Sequence, residues 1–383
     1  MKKLLFVVCS LVALFVPPAF SDTKIYYIAA DEIEWDFAPS GIDQITGQPF
    51  SEYQQYWTEP GPYTLGTKAK KAVYHEYTDS SFRTMKTRSQ EWEHLGILGP
   101  LIRAEVGDTI QIEFKNNTNM PTSMHPHGVF YGKDSEGAPY QDGTSGSDKR
   151  DDGVPPGGSH TYIWEVPERA GPVEGGPSSA FWMYHSHASE VGDVNAGLFG
   201  PMIITARGQS KADGSPIDID REFVITFYEF LEVESRYIGE NINTYMSSPE
   251  DVSIGRDVFG APILMSPDPD RPAQFILRET LNGYSYGHIP TPTMYTDEKV
   301  RWYVMGSTNF EVHAPHWHGN TFKWRNMYAD TIPLLTMGME ILDMEPDAPG
   351  IWLFHCHVGG HFEAGMSGLY EIKDRQQVSQ ITQ

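Results

Sequence analysis

Apolar residues along this chain come in short runs, and each run is bounded by glycine, proline, asparagine or aspartate. Runs of this kind predict strands, here over residues 24–30, 97–103, 109–114, 161–166, 181–184, 197–206, 223–230, 300–304 and 350–354. The 3.6-residue spacing of an amphipathic helix is scarce. Between the runs, residues 32–77 are polar and aromatic with few clear strands, and predict an elaborated leading segment. Residues 131–158, rich in Gly, Asp and Pro, predict a surface loop. Residues 207–220 predict a linker, and the acidic, weakly periodic stretch 231–272 a covering loop. The pattern predicts an all-β chain of two β-sandwich or barrel domains, 22–206 and 221–383.

Composition supports this, with 36 Gly and 28 Pro in 383 residues, more than the usual share of both. Residues 1–21 predict an export signal: Lys2 and Lys3, an apolar run over 4–16 too short to span a bilayer, and a cleavage site near Ser21. No later stretch has the character of a membrane span, so the expected setting is periplasmic or secreted, without a membrane partner. Cys9 lies in that signal, which leaves Cys356 as the lone cysteine of an exported chain; metal ligation explains how it escapes oxidation. The formal net charge of −23 argues against a nucleic-acid partner, which calls for basic patches.

The chemistry concentrates in His355-Cys356-His357-Val358-Gly359-Gly360-His361-Phe362-Glu363-Ala364-Gly365-Met366. Two His, one Cys and a weak axial Met make a blue electron-transfer copper site. Cys356, His361 and Met366 stand at offsets 0, +5 and +10, so a short loop can bring them to one metal. On a strand, His355 and His357 face away from Cys356, toward other metals.

The two units repeat. Trp182-Met183-Tyr184-His185-Ser186-His187 matches Trp352-Leu353-Phe354-His355-Cys356-His357. Ser186 replaces the cysteine, and Val191 and Ala196 stand at +5 and +10, so only the second unit can hold a blue copper. His125/His127, His185/His187, His313/His316/His318 and His355/His357/His361 account for ten of the fourteen histidines. Four His-x-His pairs supply eight imidazoles, enough for three coppers, and His313 and His361 complete the blue site. His75, His94, His160 and His288 fit no motif and are expected to be structural. Met337, Met339 and Met344 fit alternation on a strand better than a copper-gathering patch.

In order and spacing these four motifs resemble the multicopper oxidases. Gly96-Ile97-Leu98-Gly99-Pro100-Leu101-Ile102-Arg103, Tyr26-Tyr27-Ile28-Ala29-Ala30 and Asp36-Phe37-Ala38-Pro39 are similar to the ceruloplasmin and clotting-factor branch. With two units, the chain looks most like the two-domain members whose blue copper lies in domain two. The resemblance implies two cupredoxin-like Greek-key domains and four coppers per subunit. It assigns His313, Cys356, His361 and Met366 to type 1; His125 and His316 to type 2; and His127, His185, His187, His318, His355 and His357 to type 3. It also implies a homotrimer with the trinuclear cluster at subunit interfaces. Asp142 matches the family's acidic proton relay, and Tyr131 is a candidate aromatic beside the cluster. Some members carry Glu where this chain has Gly359, so a second proton route needs another group.

The expected reaction couples one-electron oxidation of a small reductant to four-electron reduction of dioxygen to water. Laccase-like oxidation of phenols is the first expectation for the reductant. Fe(II) or Cu(I) is the alternative, and it needs carboxylates near His313 or His361, with Glu311 and Glu363 as candidates. A copper nitrite reductase lacks the type 3 pair, and an electron carrier leaves eight histidines unexplained.

Overall fold

The computed structural model describes residues 22–375 except positions 271, 275, 308 and 310; the side chains of 273 and 274 are also outside the description. The expected export signal lies outside the described residues.

Each repeat is a pair of sheets. In the first, a five-stranded sheet runs Lys68–Tyr77, Thr23–Asp36, Thr109–Asn116, Ser159–Glu165, Phe130–Tyr131. It faces a four-stranded sheet ordered Ile102–Glu105, Phe199–Thr205, Ser179–His185, His125–Pro126. In the second, the larger sheet is built on Leu277–Leu281, Arg221–Leu231, Val300–Gly306 and Met339–Met344. The smaller one runs Thr293–Tyr295, Ser367–Lys373, Gly350–Cys356, Pro315–Trp317. Both repeats pair their first strand in parallel, Thr23–Asp36 with Thr109–Asn116 and Arg221–Leu231 with Val300–Gly306. The fold is all-β and cupredoxin-like in both halves.

Thr109–Asn116 shows why the pattern reads as strand: Ile110, Ile112 and Phe114 are buried and the residues between them half-buried. Arg221–Leu231 is buried on both faces. Phe223, Ile225 and Phe227 enter the core of the second repeat. Val224, Tyr228 and Phe230 instead pack with Phe181, Met183, Phe199 and Ile203 of the first, so one apolar layer joins the repeats. Each large side chain in it contributes about 1.5–3 kcal/mol by leaving water.

Three expectations are corrected. The segment 32–77 carries the end of a fourteen-residue strand, a helix Glu52–Thr58 and the full strand Lys68–Tyr77. Lysines hide that last strand; one of them, Lys71, is fully buried on Glu232 at 2.5 Å. The strand expected over 97–103 begins only at Ile102: the turn at Gly96 runs on through Leu98, whose N–H donates back to Leu95 C=O at 2.9 Å. The covering stretch 231–272 contains a helix, Ile238–Tyr245, and a hairpin, Ser253–Arg256 with Pro262–Met265. Met339 and Met344 lie on one strand, as expected, and Met337 sits in the turn before it at φ 58°.

Candidate metal centres

Strand Gly350–Cys356 ends at the buried Cys356, and helix Gly359–Glu363 folds back so that His361 returns to it. Cys356 Sγ lies 3.5 Å from His361 Nδ1 and 3.8 Å from His313 Nδ1, and the two Nδ1 atoms are 3.2 Å apart. Two backbone bonds seat Met366: its N–H donates to His361 C=O at 2.9 Å, and Cys356 N–H donates to Met366 C=O at 3.1 Å. Met366 is fully buried in the core that contains Cys356. Burial pushes the Cys356 thiol up to about 11 and His313 down to about 3. A buried sulfur and two neutral imidazole nitrogens aimed at one point fit a soft transition metal, and copper above others.

The other histidines form two clusters. In the first repeat His125, His127 and His185 bring ligand atoms within 4.8 Å of one another, and the His187 ring lies 5.3 Å from that of His125. In the second, His316, His318 and His355 do the same, with His357 5.3 Å from His316. The clusters share one geometry. His127 and His185 face each other Nε2 to Nε2 at 3.2 Å, as do His318 and His355. Carbonyls fix the far nitrogens: His125 Nδ1 bonds to Glu136 C=O at 2.6 Å, His185 Nδ1 to Ser186 C=O at 3.0 Å and His355 Nδ1 to Cys356 C=O at 2.8 Å. Such bonds leave each Nε2 free for a metal. Burial, the leading cause, lowers His127 to about 4 and His185 to about 3, so both rings are neutral ligands. Among the described residues no hydrogen bond or ring contact joins one cluster to the other.

Tyr131 stands edge-on to His125 at 5.7 Å. Asp142 meets other partners than the histidines. Its carboxylate accepts from Thr144 and pairs with Lys149 at 2.9 Å; these partners hold it well below the usual carboxylate range. Glu311 Oε2 comes within 3.6 Å of His361 Nε2. Glu363 ends the helix that carries His361 and lines a cavity of about 400 Å³ with Phe362, Tyr286 and Asp43. The four remaining histidines hold ordinary bonds, His94 buried against Val224 N–H at 3.2 Å and His75 on Asp31 at 2.9 Å.

Two further carboxylates fall outside every sequence motif. Glu229 is fully buried and among the described residues neither of its side-chain oxygens has a hydrogen-bond partner; Glu279 is 5% exposed, and its Oε2 likewise has none among them. Burial first, then the charge of Glu311, pushes Glu229 up to about 8. Glu279 is raised by burial and by both other glutamates. Glu311, beside His361, is thus near enough to both buried glutamates to raise them, and among the described residues no cation pairs with Glu229 or Glu279. Only the anomaly of Glu in apolar strands, as in Phe227-Tyr228-Glu229-Phe230, signals them in the sequence.

Two family models, both described as multicopper oxidase, match residues 88–209 and 260–376, together more than half of the chain. The chain belongs to the multicopper oxidases. It is 40% identical over 354 residues to mouse (Mus musculus) ferroxidase HEPHL1, covering 91% of this chain and 29% of that protein. It is 36% identical to human (Homo sapiens) hephaestin over 356 residues, 92% of this chain and 29% of hephaestin. Human ceruloplasmin is 36% identical over 367 residues, 93% of this chain and 33% of ceruloplasmin. The chain therefore spans about a third of the length of these relatives. A solved multicopper oxidase superposes with a TM-score of 0.56 at 19% identity, over 92% of this chain and 89% of that one. The blue copper oxidase of Nitrosomonas europaea gives 0.54 at 14%, over 93% and 87%. These two likenesses bear on the fold.

Proposed function

We propose that this protein is a copper-dependent oxidase that draws electrons from a reducing metal ion, Fe(II) or Cu(I), and reduces dioxygen to water. The observation that carries the choice of reductant is the acid cluster. Buried carboxylates without donors are costly, and a cation among them relieves both the desolvation and the mutual repulsion. Glu311, with its side chain 36% exposed, gives such an ion a way in from solvent. The name ferroxidase, borne by one relative, points the same way. Phenol oxidation is the second reading, favoured by the cavity beside Phe362.

Copper, when bound, accepts electrons singly and supplies four to dioxygen, which takes up four protons to give two waters. The chain's residues divide the rest of the work. His361 points Nδ1 toward Cys356 and Nε2 toward Glu311, so one ring spans from the substrate carboxylates to the thiol. Cys356 is bonded through its backbone to His355 and His357, which makes a covalent path to the second-repeat cluster. In this reading His313, Cys356, His361 and Met366 hold type 1 copper, and His125 and His316 type 2. His127, His185, His187, His318, His355 and His357 hold the type 3 pair. Each repeat offers four of the eight imidazoles, and among the described residues no hydrogen bond or ring contact joins the two clusters of one chain. A homotrimer that apposes the first-repeat cluster of one subunit to the second-repeat cluster of the next completes every site by closing a ring. Asp142 is the proposed proton relay, and export to the periplasm or outside the cell the proposed setting. Among the described residues no helix is long and apolar enough to cross a membrane.

The test compares the paired substitution Glu229→Gln/Glu279→Gln with wild type on Fe(II) and on an organic reductant. The expected result is a fall of about 10- to 100-fold in kcat/KM for Fe(II), with the organic reductant unchanged. Equal loss on both reductants sinks the metal reading and favours the phenolic one.

A further inference from the structure

The first repeat keeps the frame of the blue site without its ligands, and matching backbone bonds identify what stands in their place. Cys356 N–H donates to Met366 C=O at 3.1 Å, and Ser186 N–H to Leu198 C=O at 3.0 Å. Met366 N–H donates to His361 C=O at 2.9 Å, and Leu198 N–H to Asp193 C=O at 3.0 Å. Counting back from His316 and His125 equates His313 with Thr122 and Ala314 with Ser123. The counterparts of His313, Cys356, His361 and Met366 are therefore Thr122, Ser186, Asp193 and Leu198. Simple offsets point instead to Val191 and Ala196, because helix Glu190–Ala196 has seven residues and its counterpart Gly359–Glu363 five.

This site is wired. Ser186 Oγ donates to Asp193 Oδ2 at 2.6 Å, and Ser189 N–H donates to the same oxygen at 2.9 Å. The Arg236 guanidinium pairs with the other oxygen of the fully buried Asp193 and donates to Pro121 C=O at 2.7 Å. Ser123 N–H donates to Ser186 Oγ at 3.0 Å, the place where Ala314 N–H meets Cys356 Sγ at 3.4 Å. Ser123 Oγ in turn accepts from His187 N–H at 3.0 Å. Arg236 follows the strand Arg221–Leu231, so the second repeat supplies it.

We infer that Ser186, Asp193 and Arg236 form a metal-free counterpart of the blue site, in which a guanidinium takes the cation's place and holds the first-repeat histidines in position for copper. The three are positioning residues; the route runs from Asp193 through Ser186 and Ser123 to the backbone of His187. The inference rests on the reading that His125, His127, His185 and His187 bind copper. Removing one partner leaves the other charge or its hydroxyl donor buried and unpaired, so the effect is expected to reach the histidines.

The experiment uses the full chain with Asp193→Asn, Arg236→Gln and Ser186→Ala, each loaded with copper. Total copper, the copper silent in electron paramagnetic resonance and the blue absorption are measured together. The expected result is silent copper held about 10- to 100-fold more weakly while the blue absorption persists. In the metal-free protein, hydrogen exchange over residues 185–189 quickens and that over 355–359 does not. Silent copper retained at wild-type strength in all three variants overturns the inference. So does loss of blue and silent copper together in every variant, Ser186→Ala included, since the network then supports the whole fold. A wild type without silent copper overturns the underlying copper reading, and the exchange measurement judges the positioning claim separately.

Discussion

Strands Ser179–His185 and Gly350–Cys356 lead into the same aromatic-His-x-His sequence and present the same imidazole geometry. Beside the end of one lies a carboxylate–guanidinium pair, and at the end of the other a thiol and two imidazoles. The frame does not depend on the side chains it carries: both repeats close their loops with the same backbone bonds. A buried cation site can thus be satisfied by a metal ion or by an arginine. In the proposed function only the sulfur-bearing version carries electrons.

The largest test of this contrast is Cys356→Ser, which makes the second repeat resemble the first at one atom. Blue absorption and turnover are expected to vanish, while the melting temperature of the metal-free protein moves by only a few degrees, since serine already serves at position 186. Absorption and calorimetry on the same sample check it. Next come Gly128→Ala and Gly319→Ala. These glycines follow the paired His-x-His elements at φ 78° and 73°, and a Cβ would lie 2.3 Å from Trp182 and 2.5 Å from Trp352. Each substitution is expected to destabilise by about 1–3 kcal/mol, and by similar amounts in the two repeats. Denaturant unfolding that finds one glycine dispensable breaks the symmetry. Ser186→Cys comes third: no blue absorption is expected on copper loading at the first repeat, because Thr122, Asp193 and Leu198 lack the remaining ligands. A new blue band beyond that of the second repeat refutes the equivalence.

The residues that the structure gathers into candidate metal groups are legible from spacing alone. His125, His127, His185, His313, His316, His318, His355, Cys356 and His361 all fall into compact groups, and each of the nine apolar runs overlaps a strand, while the shorter strands between them go unmarked. What stays hidden is long-range. Lys68–Tyr77 reads as polar until Glu232, remote in sequence, neutralises Lys71. Glu229, Glu279 and Glu311 are scattered across three segments, and nothing in local pattern announces that the fold brings them together. Asp193 escapes because helices of unequal length shift the register between repeats. Asp142 reads as a relay from its motif, and its contacts with Lys149 and Thr144 depend on side-chain directions that spacing does not encode.

The finest test sets the paired carboxylate against the unpaired one. Burial raises both Asp193 and Glu229, but Arg236 pulls Asp193 back, whereas Glu311 pushes Glu229 further, from near 4.5 to about 8. In the folded chain Glu229 keeps its proton; in the unfolded chain it loses it above its ordinary value. Its contribution to stability is therefore full below about pH 4.5 and is lost as the pH rises through about 8. A proton held tenfold more tightly by the folded chain than by the unfolded one is worth about 1.4 kcal/mol, so the metal-free protein is expected to soften by a few kcal/mol across that window. Glu229→Gln removes the Glu229 share of this slope and leaves that of Glu279, and a divalent cation added at pH 8 opposes it by binding the ionised cluster. Thermal melts of the metal-free protein at pH 5 and pH 8, with and without the substitution, read the difference. A slope unchanged by Glu229→Gln and by Glu279→Gln alike places the titrating group outside the cluster and removes the support the cluster gives to the proposed cation site.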